Sequence, residues 1–277
     1  MNLVLQSPAL ERADVDAVAD GARPSSIEQI AQRAYRLLNA HPHDSVAKLC
    51  QARRIDYAWM ESGRRFAGLK LLAMDMDSTL ITIECIDELG ALAGKGAEIA
   101  AITDAAMRGE IADYKESLRR RVALLAGTEA LALEKVYREK LRLTSGAEAL
   151  LAACRKHGVK TLLVSGGFTF FTERLRVRLG LDYTLSNTLD IKDGRLTGRL
   201  TGDIVDADAK ARKFAAVLKE LKIDKALSVA IGDGANDLKM MAAAGFSVAF
   251  HAKPLVRAEA SCALSYSGLD GVLNLFE

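Results

Sequence analysis

Two aspartates two residues apart, in Asp75-Met-Asp-Ser-Thr-Leu80, directly follow the apolar run Leu69-Lys-Leu-Leu-Ala-Met74. On an extended backbone residues i and i+2 project to one side, so both carboxylates point the same way at a strand end. One can serve as a nucleophile and the other in proton transfer. An isolated Asp-x-Asp pair is more often a helix cap or a solvated loop. A second acidic loop shifts that balance, because after Leu227-Ser-Val-Ala-Ile231 the chain reads Gly232-Asp-Gly-Ala-Asn-Asp237. Taken alone, its Gly-Asp-Gly is a turn and Asp237 a helix cap. Two acidic loops at one sheet edge repel each other unless a cation lies between them, and a hard divalent ion such as Mg²⁺ suits oxygen donors.

Two further groups complete the set. Ser165-Gly-Gly-Phe168 ends another apolar run, Lys160-Thr-Leu-Leu-Val164, and leads toward a helix near 169–179. A hydroxyl and main-chain amides at such a turn can cradle an anion, although Gly-Gly is more often a plain turn. Lys210, in Asp206-Ala-Asp-Ala-Lys210, falls in the first turn of an expected helix, where the helix dipole disfavours a cation. A solvated surface lysine is the ordinary alternative. Together the residues supply a nucleophile, a proton-transfer carboxylate, a metal site, a hydroxyl and a cation. Phosphoryl transfer needs these parts, since it is driven by positioning and charge neutralisation.

The elements that must hold these residues read as an open α/β fold. The runs 69–74, 160–164 and 227–231 suit strands buried on both faces of a parallel sheet, with right-handed helical crossovers between them. Ser145 and Glu148 have the spacing of a capping box for a helix that stops at Gly158. Between the first two strands lie helical periods at 86–102, 114–125 and 130–141, far more chain than a crossover requires. They are read as an inserted helical subdomain. A strand near 183–186 precedes a hairpin over 189–200, signalled by Asp193-Gly194.

Before Gly68 the composition differs. Three of the four prolines and the only Trp fall there, whereas 18 of the 21 glycines lie after it, which marks a boundary. The segment offers an apolar run at 3–5, a helix near 9–22, extended stretches over 27–38, a helix near 46–54 and a strand at 57–60. As βαββαβ this is a small α+β, ferredoxin-like sandwich; the middle could equally be one helix. The expected division is 1–68 and 69–277.

The 277 residues carry 38 basic and 36 acidic side chains, a net charge of +2. Nothing in that balance points to a nucleic-acid or anionic-membrane partner. The longest nearly uncharged stretch, 240–250, is too short to span a membrane, and the N-terminus lacks a cationic flank, so a cytoplasmic protein is expected. Cys50, Cys85, Cys154 and Cys262 have no metal spacing and read as buried reduced thiols.

Asp75–Leu80, Ser165-Gly-Gly, Lys210 and Gly232–Asp237 resemble, in order, the four signature motifs of the haloacid dehalogenase superfamily. The fuller strings 75–84, Ser117-Leu-Arg-Arg-Arg-Val122, 164–168 and 229–237 are similar to its phosphoserine phosphatases. The resemblance covers about residues 70 to 277. It implies a Rossmann-like sheet with a helical cap at about 84–143, and Mg²⁺-dependent hydrolysis of O-phospho-L-serine. By the same resemblance Asp75 is the nucleophile and Asp77 the general acid and base. Mg²⁺ is held by Asp75, the Asp77 carbonyl and Asp233, with Asp237 in support. Ser165, Gly166, Lys210 and Asn236 hold the phosphate, Glu84 meets the substrate ammonium and Arg121 its carboxylate. Without the resemblance Glu84 is a helix-start residue, and Arg119 to Arg121 a solvated charge run. One departure from the family pattern is a stretch near Ala112-Asp113-Tyr114 that is one residue longer. The first 68 residues resemble a shortened, amino-acid-binding ACT-type domain; a dimerising appendage is the plainer alternative.

Two other functions compete. A related phosphatase for another small phosphomonoester, such as phosphoethanolamine, phosphocholine or a sugar phosphate, would keep the chemistry; an amino-acid head needs both Glu84 and Arg121, whereas a sugar needs neither. An amino-acid sensor on a phosphatase scaffold would be free to lose the carboxylates, the lysine and the acidic loop, all of which are present. Oligomeric state stays open, a homodimer being one form.

Overall fold

The computed structural model describes residues 1–277, Met107 by its backbone alone. Side-chain alternation divides the first strand between two cores. β1 (Asn2–Gln6) runs antiparallel to both β3 (Ala34–Leu38) and β4 (Asp56–Met60), with β2 (Ser26–Ala31) outside β3, giving the order β2-β3-β1-β4. Leu3, Leu5 and Leu37 face α1 (Arg12–Ala22) and α2 (Asp44–Arg53), packing on Val15, Val18, Val46 and Cys50. Val4, Ala58 and Met60 point the other way and join the core of the second sheet. The chain order is βαββαβ, and residues 27–38 belong to a hairpin, not a helix.

The second sheet comprises β5 (Leu71–Met74), β6 (Lys160–Phe168), β7 (Tyr183–Lys192), β8 (Arg195–Thr201), β9 (Ser228–Gly232), β10 (Phe246–Phe250) and β11 (Cys262–Leu264). Its order is β11-β10-β9-β5-β6-β7-β8. Every pairing is parallel except the β7–β8 hairpin, whose turn has Asp193 and Gly194 both at positive φ. Strands β5, β9 and β10 are buried throughout, which is why they read as unbroken apolar runs. After β5 the chain builds to one side through β6 and β7, then returns to place β9 on the other side. The carboxyl ends of β5 and β9 therefore flank a switch-point crevice.

Helices α3 (Cys85–Leu92), α4 (Gly96–Met107), α5 (Tyr114–Ala123) and α6 (Leu131–Lys135) form the insertion; the remainder, α7 (Ala147–His157), α8 (Thr169–Leu179), α9 (Ala207–Glu220), α10 (Leu238–Ala243), α11 (Pro254–Glu259) and α12 (Gly271–Asn274), belong to the sheet's surroundings. Two local expectations are corrected. The single period over 86–102 is two helices, broken at Gly94, whose φ is +69°. The Ser145 capping box does not form: Gly146 is the N-cap at φ +79°, and a side chain there would collide with Asp270. The same helix ends at Gly158 in the left-handed conformation, as its sequence foretells. All four cysteines are free and buried. Among the described residues no helix is long and apolar enough to cross a membrane.

Candidate active site

At the end of β5 the Asp75 carboxylate turns back on its own backbone, its Oδ1 accepting from Met76 N at 2.8 Å. The same oxygen meets Lys210 Nζ at 2.9 Å, and that nitrogen lies 2.8 Å from Asp237 Oδ1. Lys210 is thus no surface lysine; it is 0% exposed. Asp206 caps α9 by accepting from Ala209 N, and Lys210 stands one residue further on, its side chain carried beneath the crevice. Asp237 Oδ2 accepts from Gly234 N at 3.2 Å, and Thr79 Oγ1 donates to Asp233 Oδ1 at 3.0 Å, tying the two acidic loops together.

Asp75, Asp233 and Asp237 each bring a carboxylate oxygen within 4.8 Å of the others. Burial pushes the Asp75 carboxyl well above the usual range and Asp237 adds to it, with Lys210 pulling the other way. Burial, then Asp237, push Asp233 up to about 6. Burial alone would lower the Lys210 ammonium, but Asp237 and Asp75 outweigh it and hold it charged. Three carboxylates against one ammonium leave a negative, hard-oxygen site that fits a divalent cation. Both oxygens of Asp237 accept from protein groups, whereas the bonds of Asp75 and of Asp233 fall on Oδ1, which leaves Asp75 and Asp233 as the side chains suited to direct contact.

Asp77 has a different environment. The turn at 76–80 leaves Asp77 at φ −65°, ψ 136° and Ser78 at φ +56°. The Asp77 carboxylate lies outside the trio, its Oδ1 accepting from Cys85 N at 2.8 Å and its Oδ2 from Ser165 Oγ at 3.0 Å. Burial raises its pKa against the lowering effect of those two bonds. Ser165 Oγ in turn accepts from Gly167 N at 2.7 Å. The register of β6 with β7 shifts between Val164 and Phe168, so the two glycines lie in a bulged strand end. Gly167 admits no side chain, since a Cβ would stand 2.6 Å from Asp77 Oδ2.

A cavity of about 290 Å³ opens on these groups. Its floor is Asp75, Asp77, Gly166, Gly167, Asp233, Gly234 and Asn236, and its roof includes Glu84, Ile86, Asp87, Tyr114, Leu118 and Arg121. Ser165 and Lys210 do not line it; each lies behind the wall and touches a carboxylate that does. Glu84 stands at the entrance, accepting from Ser78 Oγ at 2.7 Å, and desolvation of its carboxyl, then the charge of Asp77, push it up to about 7. Of the three arginines Arg119 and Arg120 are exposed, and Arg120 pairs with Glu116; Arg121 alone turns into the cavity, one α5 turn from Ser117 and Leu118. Glu84 and Arg121 thus meet the same small space from two helices.

Four further residues meet these groups. Thr79 bonds Asp233, and its place inside the Asp75–Leu80 string was the available signal. Asp87 sits under the electrostatic influence of Arg121. The Tyr114 ring lies over Gly166 so closely that any side chain there would strike its hydroxyl. Lys253 lines the cavity beside Asp233 and Asn236, though it lies far outside any motif. Next to Tyr114, Lys115 Nζ pairs with Asp206 at 3.0 Å, a second link between the inserted helices and the sheet domain.

Residues 72–242 match the haloacid dehalogenase-like hydrolase family. The phosphoserine phosphatase of Polaromonas sp. (strain JS666) is 55% identical over 215 residues, 76% of this chain and 91% of the relative. The chain belongs to the haloacid dehalogenase-like hydrolases, in their phosphoserine phosphatase family. The Haemophilus influenzae phosphoserine phosphatase is 44% identical to this hydrolase over 246 residues, covering 89% of the chain and 78% of the relative. The crystal structure of a probable phosphoserine phosphatase from Vibrio cholerae, unliganded, superposes with a TM-score of 0.87 at 36% identity, over 99% of the hydrolase and 86% of that chain. A substrate-bound phosphoserine phosphatase complex gives 0.71 at 35% identity, over 76% and 99% of the two chains. Residues 3–45 match a family described as a domain of unknown function.

Proposed function

We propose that this hydrolase cleaves O-phospho-L-serine to L-serine and phosphate, the last step of serine biosynthesis. The observation that carries the reading is the paired arrangement of Glu84 and Arg121 over the Asp75–Asp77 floor of one small cavity. An amino-acid head with an ammonium and a carboxylate needs one charge of each sign, and a phosphate beneath it needs the floor.

Asp75 attacks phosphorus, forming an aspartyl-phosphate as the bond to the serine oxygen breaks. Asp77, its pKa raised by burial, supplies the proton to that oxygen. Water then attacks phosphorus, Asp77 takes its proton and the Asp75–phosphorus bond breaks. Asp75, the Asp77 carbonyl and Asp233 would hold Mg²⁺, with Asp237 in support. When bound, that ion neutralises charge on the phosphoryl oxygens. Lys210 orients Asp75, Ser165 orients Asp77, and Gly166 and Asn236 contact the phosphoryl group. The raised pKa values of Asp75 and Asp233 support a cation there, since each carboxylate is short of positive charge.

On this reading residues 1–68 form an ACT-like N-terminal domain, 69–277 the phosphatase domain, and about 84–143 its cap. On the same reading the enzyme works in the cytoplasm on a small-molecule substrate, without nucleic acid or membrane, and a homodimer is one form open to it. The test is phosphate release from O-phospho-L-serine with Mg²⁺ and with chelator, in the unaltered chain and Asp75→Asn, alongside phosphoethanolamine and a sugar phosphate. Mg²⁺-dependent turnover of phosphoserine that disappears in Asp75→Asn is expected. Preference for another ester would overturn the substrate, and activity surviving in Asp75→Asn would overturn the nucleophile.

A further inference from the structure

Asp56, the first residue of β4, is buried where the N-terminal sheet meets the second sheet. Its carboxylate accepts three successive main-chain N–H groups from across that boundary. Ser265 N reaches Oδ1 at 2.6 Å, and Tyr266 N and Ser267 N reach Oδ2 at 3.0 and 2.8 Å. Three amides converging on one acceptor fix the path of residues 265–267.

That loop leads to the cavity. The Ser267 carbonyl accepts from His251 Nε2 at 2.9 Å, so this nitrogen carries the proton, and His251 N donates to Leu264 O at 2.7 Å. His251 is left-handed, with φ +46°, a conformation uncommon outside glycine. Two residues later Lys253 N donates to Asp233 O at 3.3 Å, and Lys253 itself lines the cavity. The contacts run without a gap from the N-terminal sheet to the acidic loop.

We propose that Asp56 is a positioning residue for the active site: by clamping residues 265–267 it holds the His251–Lys253 turn, and through it the Asp233 loop and Lys253. The N-terminal sandwich is then part of the catalytic apparatus. The proposal rests on the phosphatase reading of the cavity, and its deciding readout, Mn²⁺ binding, does not need the substrate.

Asp56→Asn keeps the shape but turns an amide NH₂ toward main-chain donors. Mn²⁺ binding, followed by the paramagnetic resonance of the free ion, should weaken roughly tenfold, the low end for residues that act on a metal site through others. The KM for phosphoserine should rise with it. Arg36→Met is the control: it removes bonds to the Asn274 and Phe276 carbonyls at the same boundary and should lower the melting temperature alone. If Asp56→Asn also lowers only the melting temperature, the proposal is overturned. If it does not fold, His251→Asn decides, because Asn tolerates the left-handed backbone and is too short to reach Ser267. Weakened Mn²⁺ binding in that variant supports the proposal and unchanged binding overturns it. An unaltered chain that binds Mn²⁺ but does not turn over phosphoserine overturns the substrate reading and leaves the positioning test intact.

Discussion

Two aspartates two positions apart stand in different surroundings, which suits them to the different tasks proposed for them. Asp75 touches a charged lysine, whereas Asp77 is buried among a hydroxyl and an amide. On the proposed reading, specificity rests on Glu84 and Arg121, which line the cavity from the inserted segment. Arg121→Ala should lower kcat/KM for phosphoserine by roughly 100-fold, the cost of stripping one member of an enclosed charge pair. Turnover of an aryl phosphate, which has no carboxylate to meet, should be nearly unaffected; an equal loss on both substrates would refute the assignment. Glu84, pushed up to about 7, is neutral below that pH in the free enzyme and ionised above it. A substrate ammonium needs the ionised form, so kcat/KM should fall as the pH drops through 7. In Glu84→Gln that limb should vanish from the ratio of phosphoserine to aryl-phosphate profiles; its persistence would assign the limb elsewhere. These roles were hard to read from residue types. Arg119, Arg120 and Arg121 are identical in kind, and only the phase of α5 against the sheet selects one of them.

Among the elements, the cavity depends on how α5 seats on the strand end of β6. Gly166 provides the seat and the Tyr114 hydroxyl occupies it. Gly166→Ala should displace α5, and Arg121 with it, lowering kcat/KM about tenfold or more, within the range of coupled contacts. Tyr114→Phe in that background should restore part of the loss, because it removes the colliding oxygen; no recovery would show that Gly166 serves another purpose. The strands and the inserted helices were legible from periodicity, since buried parallel strands carry continuous apolar runs. The break at Gly94 and the failed Ser145 cap were not. A positive φ at Gly94 depends on how α4 folds back on α3, and the Gly146 cap depends on Asp270, more than a hundred residues away.

Over the whole molecule the N-terminal sheet and the last residues of the chain enclose one another. Arg36 bonds the Asn274 and Phe276 carbonyls, Gln6 bonds Gly271 and Asn274, and Val4, Ala58 and Met60 enter the main core. Residues 69–277 alone should therefore be less stable than the full chain by at least about 3 kcal/mol, given the usual worth of such buried side chains. Thermal melting and light scattering check this; an equal melting temperature would mean that the boundary adds nothing. The sequence by itself determined the chemistry and its order along the chain: Asp75, Asp77, Ser165, Lys210 and Asp233 stand in motifs whose spacing follows from strand ends and helix starts. Tertiary structure decided what residue types leave open: that the Asp75, Asp233 and Asp237 carboxylates converge, that Arg121 turns into the cavity, and that Tyr114, Asp87 and Lys253 line it. The reason is physical. A motif encodes contacts a few residues long, whereas charge, burial and reach are set by groups that meet only when distant segments pack.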